Sequence, residues 1–403
     1  MSTRADAVRP TARFGEPPRG VLDRVLTLFA DVRGGEGVTA FLLMLNIFLL
    51  LAAYYLLKTI REPLILTVPG GAEVKSYAAA AIAGVLMVLV PLYSGLASRV
   101  SRVPLINGVT AFFMLCLVAF FVLNRAGIPI GVPFFIWVGV FNMMVIAQLW
   151  AFANDVYTVD QGKRLFAIVG FGASLGAIAG SFVTGKLVAR YGPYPFLIAA
   201  AGLLGLCMLL TNAINLREKR GSEDQRRTEG DRADASGAPA AAPADDGKVR
   251  GRSGFALVFA DRYLLLIAAL MLLSNLVNTT GEYILGKTVV GVVTAHGGAA
   301  AAGVDEKKII GEFYGNYFTW VNIVSALLQA FVVSRVLRYL GVRAALMFLP
   351  AVALLGYMSM AFVPLLSFIR TAKIAENSLD YSVQNTTRNA LYLPTSREAK
   401  YKA

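Results

Sequence analysis

The sequence predicts an all-α, polytopic membrane protein, and three observations carry that prediction. The chain is 57% apolar and only 16% charged, against about 45–50% and about 25% for a typical soluble domain, and its mean hydropathy is +0.62. The apolar residues are gathered into blocks of roughly 20, the length an α-helix needs to cross a bilayer. The positive excess, 38 Lys and Arg against 25 Asp and Glu, sits between those blocks, as topology-setting loop charges do. It is not interleaved with aromatics in the manner of a nucleic-acid surface. A lipid bilayer is therefore the expected surrounding, and nucleic acid is not an expected partner.

Taken in order, residues 1–37 form an Arg-rich arm with no small-residue cleavage site after its apolar run, so no removable signal is read. Within it, Val21–Arg33 reads as an amphipathic helix lying on the membrane. Ten spans follow by the length rule, at roughly 38–57, 76–97, 104–124, 132–153, 165–187, 193–214, 262–283, 312–334, 343–363 and 365–386. The last is the most polar. Residues 217–252, rich in Arg, Glu, Asp and Gly with an Ala/Pro tract, cannot build a core and read as a disordered basic linker. The chain thus divides into the arm (1–37), a six-helix half (38–216), the linker (217–252) and a second half (253–403). Arg and Lys cluster in the arm, in the second-to-third, fourth-to-fifth and eighth-to-ninth connections and in the linker, which places the N-terminus in the cytoplasm.

The two halves echo each other. Phe29-Ala30-Asp31 precedes the first span and Phe259-Ala260-Asp261 the seventh; Asn46 and Lys58-Thr59 are matched by Asn275 and Lys287-Thr288 at the same separation. Such parallel repeats suggest a major-facilitator-like plan of two pseudo-symmetric halves, with substrate bound between them near the midplane. That plan has twelve spans; the sequence supplies about ten and ends shortly after Pro394, as a truncated form or a fragment would.

Charges inside spans cost about 2.5–3.5 kcal/mol each on insertion scales and are functional candidates by default. Lys58, Arg61 and Glu62 close the first span beside Pro63; they read either as headgroup charges past the helix end or as a cationic site facing a cavity. Glu282 and Lys287 in the seventh span match them through the repeat. In the tenth span Arg370, Lys373, Asn377, Asp380/Tyr381, Gln384 and Arg388 recur every three or four residues, with Glu376 beside them. That stripe must face water or other helices. Asn154 and Asp155, with Asp160, Lys163 and Arg164, form a third cluster at the fourth-to-fifth connection.

No catalytic constellation, cofactor motif or metal site is read. Cys116 and Cys207 lie inside apolar blocks, and His296 is the lone histidine. The Gly180–Lys186 spacing resembles a phosphate loop, but Leu187 stands where Ser or Thr is needed. Gly172, Gly176 and Gly180 instead form a small-residue face for close helix packing.

With these residues noted, the chain resembles the ATP/ADP translocases of plastids and intracellular parasites, and their free-living bacterial relatives. The similarity lies in Leu57-Lys58-Thr59-Ile60-Arg61-Glu62-Pro63-Leu64, in Trp150-Ala-Phe-Ala-Asn154-Asp155 followed by Asp160-Gln-Gly-Lys163-Arg164 and Gly170-Phe-Gly172-Ala, and in Tyr381-Ser, Arg388 and Tyr392-Leu-Pro394. The resemblance implies an antiporter of a bacterial cytoplasmic membrane that exchanges ATP for ADP by alternating access. It puts the family's first-span lysine on Arg61. The family's fourth-span acidic residue falls near Val138, and one before its Tyr-x-Pro motif falls on Asn389. The expected substrate ligands are Lys58, Arg61, Glu62, Asn154, Asp155, Glu282, Lys287, Lys373, Glu376, Asp380 and Arg388. A carrier of another organic anion, and a non-transporting membrane scaffold working through the basic linker, are the alternatives.

Overall fold

A computed structural model describes residues 20–27, 31–97, 99–236, 258–295 and 305–391. Long helices dominate it, and no strand occurs among the described residues. A short α1 (Val21–Leu26) precedes α2 (Gly37–Leu66), α3 (Gly71–Ala97), α4 (Arg102–Arg125), α5 (Gly131–Val156), α6 (Val159–Tyr191) and α7 (Pro195–Ser236). Next come α8 (Arg262–Ala295), α9 (Glu306–Phe331), α10 (Val333–Tyr339), α11 (Gly341–Phe362) and α12 (Leu366–Leu379). A π-helical turn (Asp380–Gln384) and α13 (Asn385–Leu391) complete the described chain.

Eight helices are long and apolar enough to cross a membrane, and α9 with α10, bent by 44° at their junction, makes a ninth. The protein is an integral, multi-pass membrane protein. The expected tenth span is not among these: Leu366–Leu391 is helical throughout, but Arg370, Lys373, Glu376, Asp380 and Arg388 make it too polar. Two other expectations change. The amphipathic helix is only the six residues of α1, and residues 28–30 of the expected stretch lie outside the described residues. The supposed linker is helical through Ser236 as a continuation of α7, because its Arg/Glu-rich start has good helix formers; residues 237–252 lie outside the described residues.

Helix α2 is the centre of the bundle, packed against α3, α5, α6 and α7, and against α9 from the second half. Its seam with α6 is glycine-lined. A methyl group at Gly172, Gly176 or Gly180 would collide with the carbonyl oxygen of Met44, Phe48 or Ala52 respectively, so the two backbones touch over two turns. Farther along α6, Gly185 meets Gly315 of α9, and Asn322 of α9 donates to the Ala177 carbonyl at 3.2 Å. In the second half, α12 packs on α8, α9 and α11.

The arm is tied down by its own polar residues. The Asp23 carboxylate accepts from the backbone N–H groups of Gly20 (2.7 Å) and Gly37 (2.8 Å), fastening α1 to the start of α2. Glu36 receives both guanidinium nitrogens of Arg164 (3.0 and 3.1 Å) and the Gln161 amide at 3.2 Å. A Thr158–Gln161 capping box fixes the start of α6.

Candidate functional site

The site begins with the helical period of α2. Tyr54, Lys58, Arg61 and Glu62 share one face, and the helix runs three residues past Pro63, so these charges lie within it. That corrects the reading in which the helix has already ended: Lys58 and Glu62 are buried, at 7% and 0% exposure. Facing them are Lys75 of α3, Phe135 of α5, Asn278 and Glu282 of α8, Phe318 of α9 and Tyr381 of the π-helical turn. They surround a cavity of about 140 Å³.

Lys58 is the unusual member. Its ammonium donates to Tyr381 Oη at 2.8 Å and stands over the rings of Phe318 (4.6 Å), Tyr55 (5.1 Å), Tyr381 (5.1 Å) and Tyr54 (5.9 Å). No carboxylate among the described residues lies within ion-pairing distance of it. Cation–π contacts offset part of the desolvation, by about 2 kcal/mol where water is excluded. They supply no counter-charge, so an unneutralised cation faces the cavity.

The neighbouring charges are paired. Arg61 Nε is 3.1 Å from Glu62 Oε1, and its guanidinium stacks over Phe135 at 4.5 Å. Lys75 Nζ lies between Glu62 Oε2 (2.7 Å) and Glu282 Oε2 (3.2 Å). Glu282 also accepts from Asn377 Nδ2 at 3.1 Å, and Asn377 donates to Tyr317 Oη at 2.8 Å.

Of the expected ligands, Lys58, Arg61 and Glu282 line the cavity, and Glu62 is paired with two of its lining residues, Arg61 and Lys75. The fully buried Lys373 does not line the cavity. It pairs with Glu376 at 3.0 Å and donates to Asn278 Oδ1 at 3.1 Å, while Tyr357 Oη donates to Glu376 at 3.0 Å. Glu376 is therefore a partner within the helix bundle.

The other expected ligands lie elsewhere. Lys287 is 60% exposed and pairs with Glu73 at the end of the bundle where α3 begins, so the sequence echo with Lys58 does not give the two lysines equivalent surroundings. Arg388 pairs with Asp380 at 3.4 Å, away from the cavity lining. Asn154 is exposed, and Asp155 pairs with Arg102 at the opposite end of the bundle. There Asp155 lines a separate cleft of about 1070 Å³ with Tyr157 and Arg217.

Lys75 is the residue the sequence reading missed. A second span beginning at position 76 leaves Lys75 in a loop, whereas α3 begins at Gly71 and buries it. Its signal was available: Glu73 and Lys75 follow the Gly70-Gly71 turn, within one turn of an apolar block. Tyr381 stood in the polar stripe, but nothing in the spacing marked it over Gln384.

Outside the spans, Glu36 has a shifted titration. Burial alone would raise its pKa; the hydrogen bonds from Arg164, the Arg33 N–H and Gln161 outweigh it and hold the carboxyl below the ordinary glutamate range. Among the described residues, no group of three or more His, Cys, Asp or Glu is placed to hold a metal ion; His296 lies outside them. No known family model matches the chain, and no curated protein matches it.

Proposed function

We propose that this protein is a carrier, not an enzyme, that moves an organic anion through the space between its two halves, and that the anion is a nucleotide, ATP exchanged for ADP. The observation that carries the reading is Lys58: a buried ammonium without a carboxylate, aimed into a cavity that also presents Arg61 and Lys75. Phosphate and carboxylate are the ligands such cations bind most strongly, with guanidinium suited to two-point contact. Phe135, Tyr283, Phe318 and Tyr381 add aromatic faces to the same cavity, which suits a base or another flat group.

Packing supports two related halves. The contacts of α2, α3 and α4 with α5 are matched by those of α8, α9 and α11 with α12. Alternating access between such halves is the major-facilitator plan. The membrane would be a bacterial cytoplasmic membrane with the N-terminus inside, on the Lys/Arg distribution. Nucleotides come from the resemblance of the Lys58–Leu64 and Trp150–Ala173 segments to the translocase family.

The test is uptake of labelled ATP into proteoliposomes loaded with ADP. Saturable uptake that excess phosphate or dicarboxylate fails to compete away supports the nucleotide reading. Uptake suppressed by a non-nucleotide anion, with that anion itself transported, would replace it with a different organic anion. Deleting residues 221–250 separates the scaffold reading, since a carrier should keep its uptake.

A further inference from the structure

Lys75 is shared by two carboxylates from different parts of the bundle: Glu62 on α2 at 2.7 Å and Glu282 on α8 at 3.2 Å. The ion pair of Glu73 with Lys287 ties the same two helices, α3 and α8, closer to the end of the bundle. The two ties run in opposite senses, since α3 supplies the lysine in one and the glutamate in the other. The Lys75–Glu282 bridge lies in the wall of the cavity, and the Glu73–Lys287 pair lies outside it, nearer solvent.

We propose that Lys75 is an anion ligand held in reserve. The incoming substrate takes it from Glu282, and that change of partner releases α3 from α8. The proposal rests on the anion-carrier reading above. Its first support is charge. Lys58, Arg61 and Lys75 against Glu62 and Glu282 leave one positive charge at the cavity, whereas a nucleotide or dicarboxylate brings more than one negative charge. Lys58, the one cation there without a carboxylate among the described residues, cannot contact all of that charge, so a further contact must come from a cation already in use. Arg61 must stay to neutralise the fully buried Glu62. Lys75 is released at least cost, because Glu282 keeps Asn377 Nδ2 at 3.1 Å and Tyr317 Oη at 3.5 Å when the lysine leaves.

The second support is space. A cavity of about 140 Å³ is smaller than the roughly 300–1,000 Å³ of sites that hold drug-sized ligands, so the walls must part to admit one. The Lys75–Glu282 bridge joins two of those walls. A buried lysine exchanging one anionic partner for another loses little, whereas one left unpaired is strongly destabilised. The empty protein therefore stays shut on this side, and opening is coupled to loading through a difference in affinity between the two states.

Two readouts test this. Cysteines placed at Glu73 and Lys287, with Cys116 and Cys207 changed to serine, remove the outer tie, leave Lys75–Glu282 to hold α3 to α8, and report closure through a short bifunctional cross-linker. High cross-linking is expected without anion, and a fall with ATP or with Glu282→Gln. Cross-linking that Glu282→Gln leaves unchanged overturns the proposal whatever the substrate. In proteoliposomes, release of preloaded labelled ADP into nucleotide-free buffer should rise roughly tenfold in Glu282→Gln, within the range of allosteric couplings. Lys75→Gln, as the second variant, should loosen the same side and also raise KM; loosening at unchanged KM would make Lys75 a tie only and overturn its role as ligand. A wild type that exchanges no anion removes the carrier reading itself. A wild type that exchanges, with release from Glu282→Gln still requiring external nucleotide, removes only this proposal.

Discussion

The glycine seam between α2 and α6 gives a perturbation whose size follows directly from geometry. In Gly176→Ala the new methyl carbon would collide with the Phe48 carbonyl oxygen and sit 2.9 Å from its carbonyl carbon and 3.0 Å from its Cα. All three atoms are backbone of a buried helix, so no side chain can swing aside. Ordinary contact needs about 3.4–4 Å, which forces α6 away from α2 by several tenths of an ångström or more. That shift propagates to the neighbouring contacts at Gly172 and Gly180. Overpacking of this kind costs about 1–3 kcal/mol. Alanine also favours a helix over glycine by about 0.5–1 kcal/mol, which would mask part of the loss. Gly170→Ala supplies the correction, since it lies on the same helix and nothing is within 4 Å of the position a methyl would take. The propensity gain cancels between the two variants, and the remaining difference is the steric cost of about 1–3 kcal/mol, a separation of several degrees in Tm. Thermal unfolding in detergent, followed by exposure of buried cysteine, measures it. Equal unfolding temperatures for the two variants would refute the close α2–α6 contact, and with it the placement of Lys58 and Arg61.

Three further outcomes are expected. Glu36 is held below the ordinary glutamate pKa, so its contribution is complete above that ordinary value of about 4.3 and is lost as pH falls through the lower folded-state value; Glu36→Gln should flatten this acid limb of a stability profile, and an unchanged limb would mean the Arg164 contact is unimportant. Lys373→Met strands Glu376, whose side chain is 6% exposed, and should cost about 3–5 kcal/mol, while Lys373→Met with Glu376→Leu should recover most of that. A double variant as unstable as the single one would assign Lys373 a role beyond this pair. Arg61→Ala should abolish uptake without reducing membrane insertion, and wild-type uptake in that variant would remove Arg61 from the site.

The spans were legible because lipid demands long apolar helices, and length with hydropathy is nearly the whole signal. Helix ends were less so: α2 continues three residues past Pro63, although proline normally ends or kinks a helix, and α3 starts five residues before its apolar block. Those two displacements decide the site, since one keeps Lys58, Arg61 and Glu62 inside the helix and the other adds Lys75. The repeat identified Lys287 as a counterpart of Lys58, yet a ligand face depends on which neighbours a helix meets. Lys58 meets Phe318 and Tyr381, while Lys287 meets Glu73 near solvent. The polar stripe of the last helix was visible at a 3.6-residue period. The π-helical turn at Asp380–Gln384 adds a residue to one turn, so the period could not tell which of Asp380, Tyr381 and Gln384 reaches the cavity. The block at 154–164 was recognised as a cluster of charges, and its work here is to fasten the arm and α6 together through Glu36, Asp160 and Arg164.

The central claim is that Lys58 is the unneutralised cation awaiting an anion. Exchange of labelled ATP for internal ADP, compared between wild type, Lys58→Met and Lys58→Arg in proteoliposomes of equal protein content, tests it most directly. A charge-assisted hydrogen bond contributes about 1.5–3 kcal/mol, so Lys58→Met should raise KM by roughly ten- to 150-fold, with Lys58→Arg between it and the wild type. Wild-type exchange unaffected by Lys58→Met would contradict the account.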